Sequence, residues 1–335
     1  MNKVRIGFIG VGGMAEGHMK ALERIEGAEI TAVFDINEAR ARQIAQEYGA
    51  TAYESRDQLM DSGQVDALFI CTPPFAREDI EEAAASRGLH LLAEKPVGLN
   101  LEEARRKENI IRDSGIIHSS GYCLRYLDTV QKARQFLAGR QIDMILAYRI
   151  GGMPGVPWWR IMERSGGQLV EMSTHQVDLI RYLAGDFRDI QAIYGRRHIH
   201  REHPEATVPD VGVVSFTLQS GAVGTISNTC LSQYVGRGEV ELFGHNFYVS
   251  INGKSLLIID NGQRHEEKCE TDFVFEQDRA FVEAVRTGNR ELVLGDYSEA
   301  VKTLAVTLTA NESAAAHGIE STPPAASSEH PPTFE

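Results

Sequence analysis

A glycine-rich turn between a short apolar run and a helical pattern constrains the fold of this chain more than any other feature. The run Val4–Ile9 leads into Gly10-Val11-Gly12-Gly13-Met14-Ala15, which matches the pattern G-x-G-x-x-(G/A). Gly10 permits the tight turn, Gly12 lets the backbone approach a pyrophosphate, and Ala15 keeps the helix close to the sheet. N–H groups at the start of that helix are free to bind phosphate oxygens. The motif therefore predicts a dinucleotide site along residues 10–15.

Further apolar runs alternate with helical patterns up to about residue 122. Each run is nearly continuous, as expected for parallel strands that are covered on both faces. Asn37 and Gly49 mark the start and end of one intervening helix, and Asn100 with Glu103 forms the capping pair of another that reaches Ser114. This alternation predicts a doubly wound parallel sheet, a Rossmann domain, over residues 1–122. The runs after the first are Ile30–Phe34, Ala67–Cys71, Leu89–Ala93 and Ile116–Ser119.

The pattern changes after Tyr122, and we predict a second, α+β domain over residues 123–320. The segment from Ile190 to Ile259 is rich in strand signals, with hairpin turns at Ser220-Gly221, Asn252-Gly253 and Asn261-Gly262. These signals predict an open, mostly antiparallel sheet, and the fold class is α/β. Residues 321–335, rich in Pro, Ser and Ala, are expected to be a mobile tail. The other elements predicted are a strand over Ile145–Ile150 and helices over Asp128–Ala138, Leu169–Leu183, Phe275–Arg286 and Tyr297–Ala316.

The second apolar run ends in Asp35, twenty residues after Ala15. A carboxylate at this position accepts hydrogen bonds from the adenosine ribose and repels a 2′-phosphate, so NAD is favoured over NADP. Arg40 and Arg42 follow closely in the next helix, and they leave NADP open as the alternative.

Two segments carry candidate chemistry. Glu94-Lys95-Pro96 comes where a strand of the first sheet ends, the edge at which open α/β sheets bind ligands. A partly desolvated Lys95 beside a cationic nicotinamide is suited to proton transfer, and a surface lysine is the alternative. On one continuous helix, Glu171 and His175 would share a face with Asp178, and a carboxylate beside an imidazole raises its basicity.

Bulk properties exclude several classes of function. The formal net charge is −13 without blocks of like charge, which disfavours nucleic acid and anionic membranes as partners. We find no signal peptide and no apolar run of transmembrane length, and the four cysteines show no C-x-x-C spacing. These features predict a cytoplasmic enzyme. The segment from His198 to His203 is rich in metal-ligand residues, but we interpret it as a solvated loop and predict no metal site.

The motifs together resemble the Gfo/Idh/MocA family, named after glucose–fructose oxidoreductase, inositol dehydrogenase and rhizopine-catabolism proteins. The resemblance spans nearly the whole chain. It departs from the family pattern at Glu171, where Asp is usual, at Ser173, where Gly is frequent, and at Arg77, where His is common. The matching features are the glycine-rich turn with His18, Asp35, Thr72-Pro73-Pro74, Glu94-Lys95-Pro96, Tyr122, Arg125, Trp159-Arg160, the Glu171/His175/Asp178 segment and the helix containing Phe281.

The resemblance implies a dehydrogenase that moves hydride between a secondary alcohol of a sugar, polyol or cyclitol and NAD. Lys95 matches the lysine that contacts the substrate hydroxyl, His175 matches the acid/base beside it, and Glu171 supports them. Thr72, Pro73, Glu94 and Lys95 are expected beside the cofactor. The substrate pocket is expected to contain Lys95, Tyr122, Arg125, Trp159, Arg160 and His175, with Trp158 nearby.

A homodimer or homotetramer through the second sheet is also implied by the resemblance. Two alternatives stay open at this point. One is an NAD-dependent glycosidase that oxidises its substrate transiently, and the other is a non-catalytic regulator that senses the cofactor.

Overall fold

The computed structural model describes residues 3–321, and its first half is a six-stranded parallel sheet in the order β3-β2-β1-β4-β5-β6. The Rossmann prediction is confirmed by this order, in which the chain reverses direction across the sheet between β1 and β4. The strands are β1 (Val4–Ile9), β2 (Ala28–Phe34), β3 (Thr51–Ala52), β4 (Ala67–Ile70), β5 (His90–Ala93) and β6 (His118–Ser120). The helices between them are α1 (Gly13–Leu22), α2 (Glu38–Tyr48), α3 (Arg56–Asp61), α4 (Ile80–Ser86) and α5 (Leu101–Ser114).

The ends of the helices follow local sequence signals. The Asn37 side chain accepts a hydrogen bond from the Arg40 N–H at the start of α2, and Gly49 ends that helix in the left-handed conformation. Asn100 likewise accepts from the Glu103 N–H at the start of α5. Both predicted caps are confirmed.

A second sheet of nine strands follows, in the order β14-β13-β12-β11-β7-β10-β9-β8-β15. Its pairings are antiparallel except those of β10 with β7 and of β15 with β8, which confirms the mostly antiparallel prediction. The three predicted hairpin turns connect β9 to β10, β12 to β13 and β13 to β14. The strands are β7 (Met144–Ile150), β8 (Phe187–Arg196), β9 (Val211–Leu218), β10 (Val223–Thr229), β11 (Arg237–Gly244), β12 (Phe247–Asn252), β13 (Ser255–Asp260), β14 (Gln263–Lys268) and β15 (Glu320–Ser321).

Helices cover one face of this second sheet and return to the first. The final two helices bury residues in both parts of the molecule. Phe281 packs in the core around β1 and Leu304 in the core around β4 and β5, whereas Ala310 and Ala314 pack in the core of the second sheet. The helices of this half are α6 (Asp128–Leu137), α7 (Met162–Ser165), α8 (Gly167–Glu171), α9 (Thr174–Ala184), α10 (Ile199–Glu202), α11 (Phe273–Thr287) and α12 (Tyr297–His317).

The prediction of one helix over Leu169–Leu183 is wrong, because the chain breaks at Met172 and Ser173 between α8 and α9. A short helix, α10, also interrupts the predicted strand region. The domain boundary at residue 122 stays a prediction. The expected mobile tail, apart from Ser321, lies outside the described residues. Within residues 3–321 no helix has both the length and the apolar character that a membrane crossing requires.

Candidate active site

The glycine-rich turn lies at the carboxyl end of β1, beside β4. Gly10 has a φ of +86°, and a Cβ there would lie 3.0 Å from the carbonyl carbon of Cys71. Gly12 and Gly13 face open space, since a Cβ at either position would meet nothing within 4 Å. Gly12 caps α1 without any side-chain hydrogen bond. The first N–H groups of α1 are therefore available to an anion such as a pyrophosphate.

Asp35 follows β2, and its carboxylate connects the glycine-rich turn to the start of α2. Its carboxylate accepts hydrogen bonds from the Val11 N–H at 2.9 Å and the Asn37 N–H at 2.8 Å. The two arginines that kept NADP open are engaged elsewhere: Arg40 pairs with Glu16, and Arg42 pairs with Glu38. This arrangement fits a ribose that carries free hydroxyls better than one that carries a 2′-phosphate.

The neighbouring strand ends supply more of the same edge. The Thr72 hydroxyl is buried and has no hydrogen-bond partner among the described residues, so it is free to bind a ligand placed there. Buried Arg77 donates to the carbonyl oxygens of Thr72 and Glu94, which fixes the ends of β4 and β5 relative to each other. Thr72, Pro73 and Glu94 thus lie at one edge with the turn. Arg77, noted in the sequence only as a departure from the family pattern, therefore has a structural role.

A buried ion cluster lies behind this edge. His18 on α1 contacts both oxygens of Asp278 on α11 at 2.9 Å and Glu94 at 3.2 Å. Burial alone would lower the pKa of His18, but the two carboxylates outweigh it and raise the pKa to about 10. The cluster links the end of β5, and therefore Lys95, to the C-terminal helices. His18 was named in the sequence, but its partner Asp278 carried no local signal.

Lys95 meets Glu171 across the two halves of the chain. Its Nζ donates to the Glu171 carboxylate at 2.7 Å and to the Glu171 carbonyl oxygen at 2.8 Å. The second carboxylate oxygen accepts from Trp159 Nε1 at 2.9 Å. An ammonium has three N–H donors, so one of them is left for a ligand.

The break between α8 and α9 makes this contact possible. In a continuous helix the Glu171 carbonyl would accept from the His175 N–H. Here it accepts from Lys95 instead, while the Met172 and Ser173 N–H groups both bond to the Gln168 carbonyl oxygen. Glu171 therefore supports Lys95, and the predicted pairing of Glu171 with the His175 imidazole is wrong.

His175 is the second residue of α9, and its ring is half-buried against Tyr122 at a centroid separation of 6.0 Å and an angle of 81°. Its Nδ1 has no hydrogen-bond partner among the described residues. Burial, together with the charges of Lys95 and Arg149, lowers the pKa of His175 to about 3. The ring is therefore neutral near pH 7, the form that can accept a proton.

One pocket of about 290 Å³ brings Lys95 and His175 together. This convergence was the central spatial prediction from sequence. Arg149, at the end of β7, also lines the pocket, and sequence reasoning missed it. Its signal was a charged residue on a strand whose alternate positions are buried. The remaining lining residues are Pro154, Val156, Trp158, Trp159, Glu171 and Met172.

Other predicted pocket residues lie elsewhere. Arg125 is 2% exposed, and it donates to both Asp178 oxygens at 2.7 and 2.8 Å and to the Leu294 carbonyl oxygen. Asp178 follows His175 by about one turn on α9, but both of its oxygens are bound by Arg125, so it does not pair with the imidazole. Tyr122 is buried behind His175, with its hydroxyl on Thr174. Arg160 pairs with Glu205 and does not line the pocket.

The described residues contain no group of three or more metal-ligand side chains arranged to hold an ion. The histidine-rich segment forms α10, and Asp210 accepts hydrogen bonds there from the His198 and Ile199 N–H groups.

Two family models match this chain. A model of the Gfo/Idh/MocA oxidoreductase family, described as an NAD-binding Rossmann fold, matches residues 4–122. The C-terminal domain model of the same family matches residues 130–249. The chain belongs to the Gfo/Idh/MocA family of oxidoreductases. Membership confirms the predicted family and the NAD-binding character of the first sheet.

Similar proteins cover most of the chain. The myo-inositol 2-dehydrogenase of Thermotoga maritima is 25% identical over 307 residues, which are 88% of this chain and 91% of that protein. The scyllo-inositol 2-dehydrogenase (NAD(+)) of Bacillus subtilis is 26% identical over 312 residues, 87% and 89% of the two chains. The WlbA dehydrogenase of Bordetella pertussis, solved with NADH and UDP-GlcNAcA, shares the fold with a TM-score of 0.81, at 22% identity and 95% and 98% coverage.

Proposed function

We propose that this oxidoreductase transfers hydride between a secondary alcohol of a sugar, polyol or cyclitol and NAD. The observation that carries the proposal is the single pocket that contains both Lys95 and His175, beside the glycine-rich edge of the Rossmann sheet. Two of the similar proteins are named as inositol dehydrogenases, which favours a hydroxylated ring as substrate. The partly exposed Trp158 ring supplies an apolar face that suits such a ring, with the fully buried Trp159 behind the pocket wall.

The chain's own residues divide the work between them. Bound NAD⁺ supplies the hydride acceptor. The free N–H of Lys95 donates to the substrate hydroxyl oxygen and stabilises the negative charge that develops there. His175, neutral and without a partner on Nδ1, receives the hydroxyl proton. Glu171 keeps Lys95 in place and does not itself take part in proton transfer.

The test is the variant Lys95→Ala, assayed with a panel of inositols, aldoses and polyols. We expect turnover to fall by roughly 10²–10⁴-fold, the range for loss of a positioned proton-transfer group. The affinity for NAD⁺, measured by calorimetry, stays near the wild-type value because the glycine turn and Asp35 are untouched. Lys302→Ala, which removes a surface ion pair with Glu299, serves as the control. Near wild-type turnover in Lys95→Ala would refute the proposal.

The same assay separates the alternatives. A transient-oxidation glycosidase would release its aglycone without net NADH absorbance, and a cofactor-sensing regulator would bind NAD without turnover of any substrate. Running the panel with NADP⁺ tests the cofactor preference, which we propose to be for NAD because Asp35 faces the turn and Arg40 is held by Glu16. No observation favours either alternative.

We propose a homodimer or homotetramer through the uncovered face of the second sheet. Ile193 and Val213, 64% and 48% exposed, lie opposite each other on β8 and β9. Met144 and Val223 form a similar pair on β7 and β10. Paired exposed apolar side chains on a strand surface are typical of interfaces. The double variant Ile193→Glu/Val213→Glu should lower the mass measured by light scattering to that of one chain, and an unchanged mass would contradict this interface.

We also propose that the enzyme is cytoplasmic and that the boundary between its two domains lies at residue 122. All four cysteines are free thiols, which favours a reducing compartment. Cell fractionation tests the location.

A further inference from the structure

Arg149 is the one charged residue of β7 and lines the active-site pocket. Side chains of a strand alternate between its two faces, and Ile145 and Ala147 are buried on the helix-covered side. Arg149 continues that series, so its guanidinium lies on the same side as α9. There it lines the pocket together with Lys95 and His175.

The guanidinium is half-buried and lacks an anionic partner. Among the described residues none lies within ion-pair distance of Arg149, and none accepts a hydrogen bond from it. Glu171 is the only carboxylate that lines the pocket, and its two oxygens are taken by Lys95 and Trp159. Burial lowers the pKa of Arg149, and the charge of Glu171 only partly opposes this effect. A partly buried charge of this kind normally has a partner.

The loop after β7 leaves room for this guanidinium. A Cβ at Gly151 would overlap Arg149 Nη1, so the side chain lies over the bare backbone of Gly151. The glycine therefore keeps the cation beside the pocket.

We infer that Arg149 binds an anionic group of the substrate, a carboxylate or a phosphate, so that the enzyme acts on acidic or phosphorylated sugars in preference to neutral ones. This inference rests on the proposed function for the reaction itself, but the binding contact does not depend on turnover. The planar guanidinium presents parallel N–H donors that match two oxygens of either group. The substrate alcohol then lies at Lys95 and His175, with the anion at the Arg149 end of the same pocket.

The electrostatics of the pocket agree with this assignment. Burial and the charges of Lys95 and Arg149 lower the pKa of His175, and the carboxylate of Glu94 opposes them only in part. A bound anion next to Arg149 offsets that charge and raises the basicity of His175 when substrate is present. The acceptor of the proton is thus strengthened by the correct substrate.

The chain offers a direct binding signal, because its only two tryptophans, Trp158 and Trp159, both line this pocket. Tryptophan fluorescence is titrated with glucuronate, glucose 6-phosphate and glucose at constant ionic strength. The two anions distinguish a carboxylate from a phosphate. The proteins are wild type, Arg149→Gln, Arg149→Lys and the control Arg160→Gln, whose arginine pairs with Glu205 away from the pocket. Circular dichroism and the NAD⁺ affinity check that each variant is folded.

At least one anion is expected to bind the wild type roughly tenfold or more tightly than glucose, as a charge-assisted contact implies. Arg149→Gln removes that preference with little effect on glucose, Arg149→Lys keeps part of it, and Arg160→Gln keeps all of it. Equal affinity for glucose and both anions, equal weakening of all three ligands in Arg149→Gln, or no response to either anion would overturn the inference. Anion binding that needs Arg149 but yields no NADH with any sugar would instead refute the proposed dehydrogenase and leave the anion site standing.

Discussion

At the scale of single residues, the carboxylate of Glu171 determines where the Lys95 ammonium lies. We expect Glu171→Gln to lower kcat by about 10–100-fold, because the acceptor of the Lys95 ammonium loses its negative charge and a contact of about 1.5–3 kcal/mol is weakened. KM and the NAD⁺ affinity should change much less, since Lys95 acts on the oxygen charge that develops during the reaction. Steady-state kinetics measure the split between kcat and KM.

Glu205→Gln is the matched control for this change, because Glu205 also holds a cationic side chain, that of Arg160, but at an exposed position outside the pocket. It should leave kcat unaltered. A rise in KM with constant kcat in Glu171→Gln would show that the carboxylate binds substrate, contrary to the geometry.

Its place at a strand end selected Lys95, and a position between two acids on a predicted helix selected His175. The fold brings both residues to one pocket. The side-chain contacts of the named residues were not predictable from spacing. Glu171 contacts Lys95 from a distant segment, and Arg125 is held by Asp178 in the interior. Such pairings depend on how the two parts of the molecule pack against each other, and the spacing of residues along the chain does not predict that packing.

At the scale of elements, the turn between β1 and α1 combines a left-handed conformation with close packing. Gly10→Ala introduces a Cβ 3.0 Å from the Cys71 backbone at a φ of +86°. We expect it to abolish NAD⁺ binding, measured by calorimetry, because the turn must shift. Stability should also fall by about 1–2 kcal/mol or more from the backbone alone.

Gly49→Ala at the end of α2 separates these two effects. Gly49 has a φ of +67°, but a Cβ there meets nothing within 4 Å. This control should lose a similar backbone contribution to stability and keep its NAD⁺ affinity. If Gly10→Ala binds NAD⁺ as well as Gly49→Ala does, the turn does not hold the cofactor.

Elements with local causes were predicted well, and those with distant causes were not. Asn37 and Asn100 cap helices through N–H groups three residues away, and the hairpins follow their Gly-containing turns. The interruption after Glu171 has no such origin. The carbonyl oxygen that it frees is bound by Lys95 from the first sheet, so local periodicity predicted an unbroken helix.

At the scale of the whole molecule, the chain closes on itself through its last helices. Asp278 on α11 meets His18 on α1, and Phe281 from the same helix is fully buried in the first core. The N-terminal sheet therefore has part of its core supplied by the C-terminal segment. This closure also gives the stability of the molecule a specific dependence on pH.

The His18 cluster predicts that stability falls as the pH rises above neutrality. The folded pKa of His18, about 10, lies above the ordinary histidine pKa of 6.5. Below about pH 6.5 both the folded and the unfolded chains are protonated there, and the contribution is fully present. Between the two pKa values only the folded chain keeps the proton, so the contribution of His18 to stability declines by up to about 1.4 kcal/mol per pH unit and is lost as the pH passes through the folded pKa.

Urea unfolding of wild type and His18→Gln at about pH 7, 8 and 9 measures the difference in their free energies of unfolding. The gap between the two proteins should narrow as pH rises, whereas a constant gap would mean that His18 is not charged in the folded enzyme.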